Sequence, residues 1–204
     1  MLYGDPMDGH IFLLRTKNGG LNWQELENRP KLSSGEASFA ASGTGIRCLG
    51  KEKIIFATGG KISRIFFSEE KGKSWKIVQP PILQGRNSTG IFSFAFSNNI
   101  GIIVGGDYLT DTLKTNHVLF TEDSGKSWEF PVNATRGYRE CVEFINDSTA
   151  VAVGPEGTDV SYNSGKDWFP VENEKSYHVV RKARKGKLII AAGKKKISIL
   201  KTTE

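Results

Sequence analysis

The chain has 204 residues but few of the groups that staple small folds or hold metals. It has two cysteines, Cys48 and Cys141, and three histidines, His10, His117 and His178. The cysteines fall on apolar strands two repeat units apart, whereas a disulfide needs Cα atoms within about 7 Å. Both read as free, buried thiols, and neither has a neighbouring histidine to activate it. The histidines lack ligand spacing, so no metal site is expected. No apolar run reaches the roughly 20 residues of a membrane-spanning helix, and no membrane insertion is expected. The start, Met1-Leu2-Tyr3-Gly4-Asp5-Pro6, has neither the basic segment nor the apolar core of a signal peptide. Helical periodicity is almost absent, which favours an all-β class. No glycine-rich fingerprint joins a strand to a helix, and no haem or flavin motif is present, so no cofactor is expected.

The net charge of +6 is concentrated near the C-terminus, in Arg181-Lys182-Ala183-Arg184-Lys185-Gly186-Lys187 and Lys194-Lys195-Lys196. A nucleic-acid surface would interleave such residues with stacking aromatics. Neither run contains one, so nucleic acid is not an expected partner. The lysines read as solvated residues that discourage edge pairing.

What the chain does have is one turn, four times over, with every tryptophan in it. The copies are Thr16-Lys17-Asn18-Gly19-Gly20-Leu21-Asn22-Trp23, Ser68-Glu69-Glu70-Lys71-Gly72-Lys73-Ser74-Trp75, Thr121-Glu122-Asp123-Ser124-Gly125-Lys126-Ser127-Trp128 and Ser161-Tyr162-Asn163-Ser164-Gly165-Lys166-Asp167-Trp168. Asp or Asn at the third position can accept bonds from backbone N–H groups further along the turn. Ser or Thr at the first can bond the same loop. Gly at the fifth supplies positive φ, and Trp packs between sheets. Glu70 is one methylene too long, so the second turn is expected to be looser.

β-Branched and aromatic runs bounded by Gly, Asn, Asp and Ser flank each box, as strands do. Each period reads as four antiparallel strands, A to D, with the box at the C–D turn. Four-stranded sheets repeating at this length are propeller blades. The expected fold is a single β-propeller domain over 1–204, with blades near 1–30, 31–82, 83–134, 135–174 and 175–204. The first blade lacks its A strand and the last its D strand. That pattern implies an incomplete arc of a larger ring, residues missing upstream, and homo-oligomer formation through open edges.

The boxes resemble the Asp-box, or BNR, repeats of sialidase-type propellers. The chain as a whole resembles bacterial BNR-repeat proteins related to the photosystem II stability/assembly factor, a group allied in fold to WD40/YVTN-like repeats. The matching segments include Gly4–Gly9, Gly35–Thr44, Thr58–Gly60, Ser88–Ser93, Val104–Tyr108, Arg136–Arg139 and Gly154–Asp159. The resemblance implies a seven-bladed ring, and export to the periplasm or exterior. This sequence shows no export signal, so a cytoplasmic location stays open. The "oxidoreductase" label common in that group has no support in these residues.

In such a blade the D–A and B–C loops emerge opposite the boxes. The candidate binding face is therefore Asp5, Glu36, Ser38, Asp107, Tyr108, Arg136, Tyr138, Arg139, Glu156 and Asp159, on loops that a rigid scaffold holds. The other reading is that these groups satisfy one another at a channel mouth. Two functions fit. One is a non-enzymatic, assembly-factor-like scaffold that recognises a protein or glycan through this face. The alternative is a sialidase-like glycoside hydrolase, which needs an arginine cluster, a tyrosine nucleophile and an acid. Arg64, Arg136, Arg139, Tyr108, Tyr138, Asp107 and Glu156 supply those types, but the arginines do not fall one per blade on inner strands. No catalytic residue is assigned.

Overall fold

A computed structural model describes residues 1–39, 43–171 and 176–200. The boundary expected between 174 and 175 lies outside the described residues, as do Ala40, Ala41 and Ser42. The chain is all-β. Its strands form small antiparallel sheets, none closed into a barrel.

The first sheet holds β1 (Leu2–Met7), β2 (His10–Arg15) and β3 (Gln24–Glu25). A two-residue strand, β4 (Glu36–Ala37), follows. The second sheet holds β5 (Ile46–Leu49) and β6 (Lys53–Ala57), then, after the short β7 (Gly59–Gly60), β8 (Ile65–Ser68) and β9 (Lys76–Val78). The third is built on β10 (Thr89–Ser97), β11 (Ile100–Asp107) and β12 (Val118–Thr121). The fourth has β13 (Cys141–Phe144), β14 (Ala150–Gly154), β15 (Gly157–Ser161) and β16 (Phe169–Val171). The fifth has β17 (Tyr177–Lys182), β18 (Ile189–Gly193) and β19 (Lys196–Leu200). β4 and β7 extend the third sheet: Glu36 and Ala37 pair with Gly60 and Gly59, and Gly59 pairs with Gly90 of β10.

The third sheet departs from the expected pattern. Trp128-Glu129-Phe130 reads as a strand, yet only Glu129 pairs, with Phe120. Three residues after Glu129, the Val132 N–H bonds Lys166 O in the fourth box, 2.9 Å away. The chain leaves its own sheet there to bind the next one.

Alternation buries one face of each strand, and the cores lie between consecutive sheets. Ile11 and Leu13 of the first sheet pack with Phe56 and Phe66 of the second. Ile55 and Ile65 meet Phe94 and Ile103 of the third. Ile102 and Phe120 meet Val142 and Ala152 of the fourth. Val151 and Val153 meet Val180 and Ile189 of the fifth. Cys141 is buried in this last core, where burial raises its thiol pKa. Cys48 is exposed, contrary to expectation.

The boxes work as their residue types dictate. The first-position hydroxyl accepts the fifth-position glycine N–H in all four, at 2.8 Å in three and 3.1 Å in Thr121–Gly125. Asn18, Asp123 and Asn163 each accept the N–H four residues on, at 2.9, 3.0 and 2.9 Å. The Glu70 carboxylate makes no such bond among the described residues, as its extra methylene requires. The residue before the glycine is also left-handed: Gly19, Lys71, Ser124 and Ser164 have φ between 57° and 71°. The three non-first boxes bond through that residue's N–H to the A–B turn of their own sheet, at Glu52, Asn99 and Ser148. The glycines of the three later boxes then pack on the preceding sheet. A Cβ on Gly125 would stand 2.6 Å from the Phe67 ring, and one on Gly165 2.8 Å from Ile102.

Asp123 makes the third box sensitive to acid. The Ser127 hydroxyl and amide and the Thr121 hydroxyl hold its carboxyl well below the usual carboxylate range. A depressed folded pKa adds stability above the unfolded carboxylate's pKa, and that stability is lost as pH falls through the folded value. Asp123→Asn, which copies the first and fourth boxes, is expected to flatten the fall in Tm between about pH 5 and pH 2. Thermal unfolding followed by circular dichroism at several pH values checks this. Parallel curves for the two proteins would contradict it.

Candidate functional site

At the end opposite the boxes, the candidate loop residues meet in three ionic clusters. Glu36 opens β4, where the chain turns toward the second sheet, and is buried. Arg64 grips both its oxygens, Nε to Oε1 at 3.0 Å and Nη2 to Oε2 at 2.5 Å. The Thr58 hydroxyl and Ser33 N–H complete its shell. Asp107 ends β11; it accepts Leu109 N–H at 3.0 Å and faces Arg86 at 3.6 Å. Asp159, on β15, is buried and takes two bonds from Arg139, through Nε at 2.7 Å and through Nη2. Arg136 lies 3.3 Å from its other oxygen and donates to Thr158 O at 2.9 Å.

Burial sorts the ten candidates. Glu36, Ser38, Asp107, Tyr138, Arg139 and Asp159 are buried. Arg139 is fully enclosed, with its remaining Nη1 on Tyr138 O at 2.8 Å. Ser38 donates to Gly4 O at 2.9 Å, tying the loop to the first sheet. Tyr138 sits edge-on to Phe92, with centroids 4.7 Å apart, and burial raises its phenol pKa. Solvent reaches Asp5, Tyr108 and, in part, Arg136 and Glu156. Of these, Tyr108 is placed with most consequence. It is 48% exposed and stands edge-on to both Phe39 and Phe92, which stack at 4.0 Å. Asp5 and Glu156 join none of the three clusters.

His117 is buried among these loops, with Nε2 2.8 Å from Thr135 Oγ1. Burial lowers its pKa, which keeps the ring neutral at pH 7.

A second ionic group was missed in the sequence. Arg47 on β5 reaches Phe94 O at 3.3 Å and Glu143 at 3.0 Å, and Arg181 on β17 takes the same Glu143 oxygen at 3.0 Å. Inner strands of the second, fourth and fifth sheets thus meet at one carboxylate. The strand registers make the positions equivalent: Arg47, Ala95, Glu143 and Arg181 face Ile55, Ile102, Val151 and Ile190. The sequence carries no signal for this, because the spacing from these positions to the box serine or threonine differs between sheets and the fifth sheet carries no box among the described residues. The small Ala95 stands where Arg47 crosses the third sheet.

No protein-family model matches this chain, and no curated protein matches it in sequence. Solved structures match it in fold. "YCF48 bound to D1 peptide" superposes on 78% of this chain and 49% of its own, with TM-score 0.51 and 17% identity. This chain therefore spans about half the length of that protein. The computationally designed protein Ika4 covers 77% of this chain and 91% of its own, with TM-score 0.52 and 10% identity. The GH74 enzyme of Niastella koreensis covers 94% and 34%, with TM-score 0.50 and 12% identity. These are distant likenesses of fold.

Proposed function

We propose that the five sheets are consecutive blades of a β-propeller arc, and that the chain is a non-enzymatic scaffold that binds a protein or glycan through its loop face. The observation that carries this reading is the half-exposed Tyr108 on the Phe39–Phe92 stack. An aromatic plane on rigid support, rimmed by charge, suits an extended peptide or a sugar ring. The Glu36–Arg64 and Asp159–Arg139 pairs fix the loops beneath it. Arg86 and Arg136 offer partly exposed guanidiniums beside it. YCF48, one of the proteins alike in fold, is described with a peptide bound.

The hydrolase reading draws on the likeness to a GH74 enzyme. The side chains support it less. Arg139 has no free face to grip a substrate carboxylate, and the raised pKa of buried Tyr138 makes a poor nucleophile.

Affinity capture with Tyr108→Ala/Arg136→Ala tests the scaffold reading, with Tyr162→Ala on the box face as control. Recovery of captured partners is expected to fall at least about tenfold for the loop variant only, the loss that about 1.4 kcal/mol of binding gives. Equal recovery from all three proteins removes this face. Turnover of aryl glycosides that Tyr108→Phe abolishes would favour the hydrolase.

A further inference from the structure

Three of the four intersheet junctions are filled by the box tryptophan of the later sheet. Trp75 stands 5.0 Å from Phe56 between the first and second sheets. Trp128 packs between the second and third, and Trp168 between the third and fourth. The fifth sheet carries no box among the described residues. At its junction with the fourth lies a cavity of about 330 Å³, walled by Val151, Val153 and Val160 on one side and Tyr177, Ile189 and Ala191 on the other.

This wall repeats a surface that receives a box elsewhere. Gly165 packs on Ile102 and Phe120, partners across β11 and β12. Val151 and Val160 are the same pair across β14 and β15. Beside the cavity, β19 pairs with β18 on one edge and, among the described residues, with no strand on the other, so that edge offers a ladder of N–H and C=O groups. Charge completes the description. Residues 176–200 hold eight lysines and arginines and no aspartate or glutamate. Lys185 lies in the turn before β18, and Lys194 and Lys195 in the turn before β19. They mark the two ends of the open edge.

We propose that this cavity and the open edge of β19 form a docking site for an extended acidic segment of a partner protein. Its aromatic side chain enters the cavity. The residues after it pair antiparallel with β19, as β16 does with β15 directly after Trp168. Carboxylates on either side of the aromatic meet the lysines of the two turns. This is strand addition with a knob that the fold itself already uses three times. The site is separate from the loop face and does not depend on that reading.

A fluorescein-labelled peptide, Glu-Asp-Gly-Glu-Asp-Trp-Glu-Val-Thr-Val, is the probe, with anisotropy as the readout. Replacing its tryptophan by alanine is expected to weaken binding at least about tenfold, the factor that 1.4 kcal/mol produces. Ala191→Phe, which fills the cavity, should do the same. So should Lys194→Glu/Lys195→Glu, a surface change that leaves the core intact. Bound peptide should also slow amide hydrogen exchange in β19. Several results overturn the proposal: no saturable binding to the unmodified chain, equal binding of the tryptophan-free peptide, or unchanged exchange in β19. Binding that salt abolishes but that ignores both the tryptophan and Ala191→Phe marks a charge effect only, and equally overturns it.

Discussion

Trp168→Ala is expected to cost about 3–5 kcal/mol of folding stability, the range for truncating a buried aromatic, while Trp23→Ala costs about 1 kcal/mol or less. The two residues occupy the same position of the same turn. Each donates its indole N–H to the glycine carbonyl three residues back, at 3.1 Å. That bond cancels in the comparison, which leaves burial as the difference. Trp168 is 3% exposed and packs among Ile102, Val104 and Phe120, whereas Trp23 is 43% exposed. Urea unfolding of the two variants beside the unaltered chain measures it. Equal midpoint shifts would show that the turn, not the junction, determines what the tryptophan contributes.

The second large effect lies at Asp159. Arg139→Met should cost about 3 kcal/mol, the low end for breaking a buried ion pair, because Asp159 loses both bonds from Arg139 and keeps only Arg136, 3.3 Å from its other oxygen. Arg139 and Asp159 are both enclosed, so solvent cannot take over. The double variant Arg139→Met/Asp159→Leu removes both charges at similar volume and is expected to regain most of that loss. The midpoint of urea unfolding again reads the outcome. A double variant no more stable than the single one would mean that packing around Arg139, rather than its pairing, holds these loops.

Much of this was legible in the residues. A serine or threonine, a short amide or carboxylate, a glycine and a tryptophan at fixed offsets dictate a turn whose bonds follow from donor and acceptor chemistry. The weaker Glu70 turn could be foreseen from one methylene. Strand positions followed from β-branched and aromatic runs. Other features depend on which sheets adjoin. Glu36, Arg139 and Asp159 are polar loop residues, and nothing local says that they are enclosed. Their burial comes from partners 20 to 28 positions away. Arg47 and Arg181 look like strand-edge cations until the registers of three sheets are superposed on one carboxylate. The left-handed residue before the glycine of the three later boxes was also hidden, because lysine and serine give no hint of positive φ.

The direction of the box contacts also matters to a chain emerging from a ribosome. Each sheet is finished only when the turn of its successor closes on it, since Leu26, Phe67 and Ile102 are covered by Gly72, Gly125 and Gly165 in turn. A nascent chain would therefore always carry one provisional sheet at its growing end, with every earlier one locked behind it. Structure accrues in the order of synthesis, and a pause after any box leaves only the newest sheet unfinished.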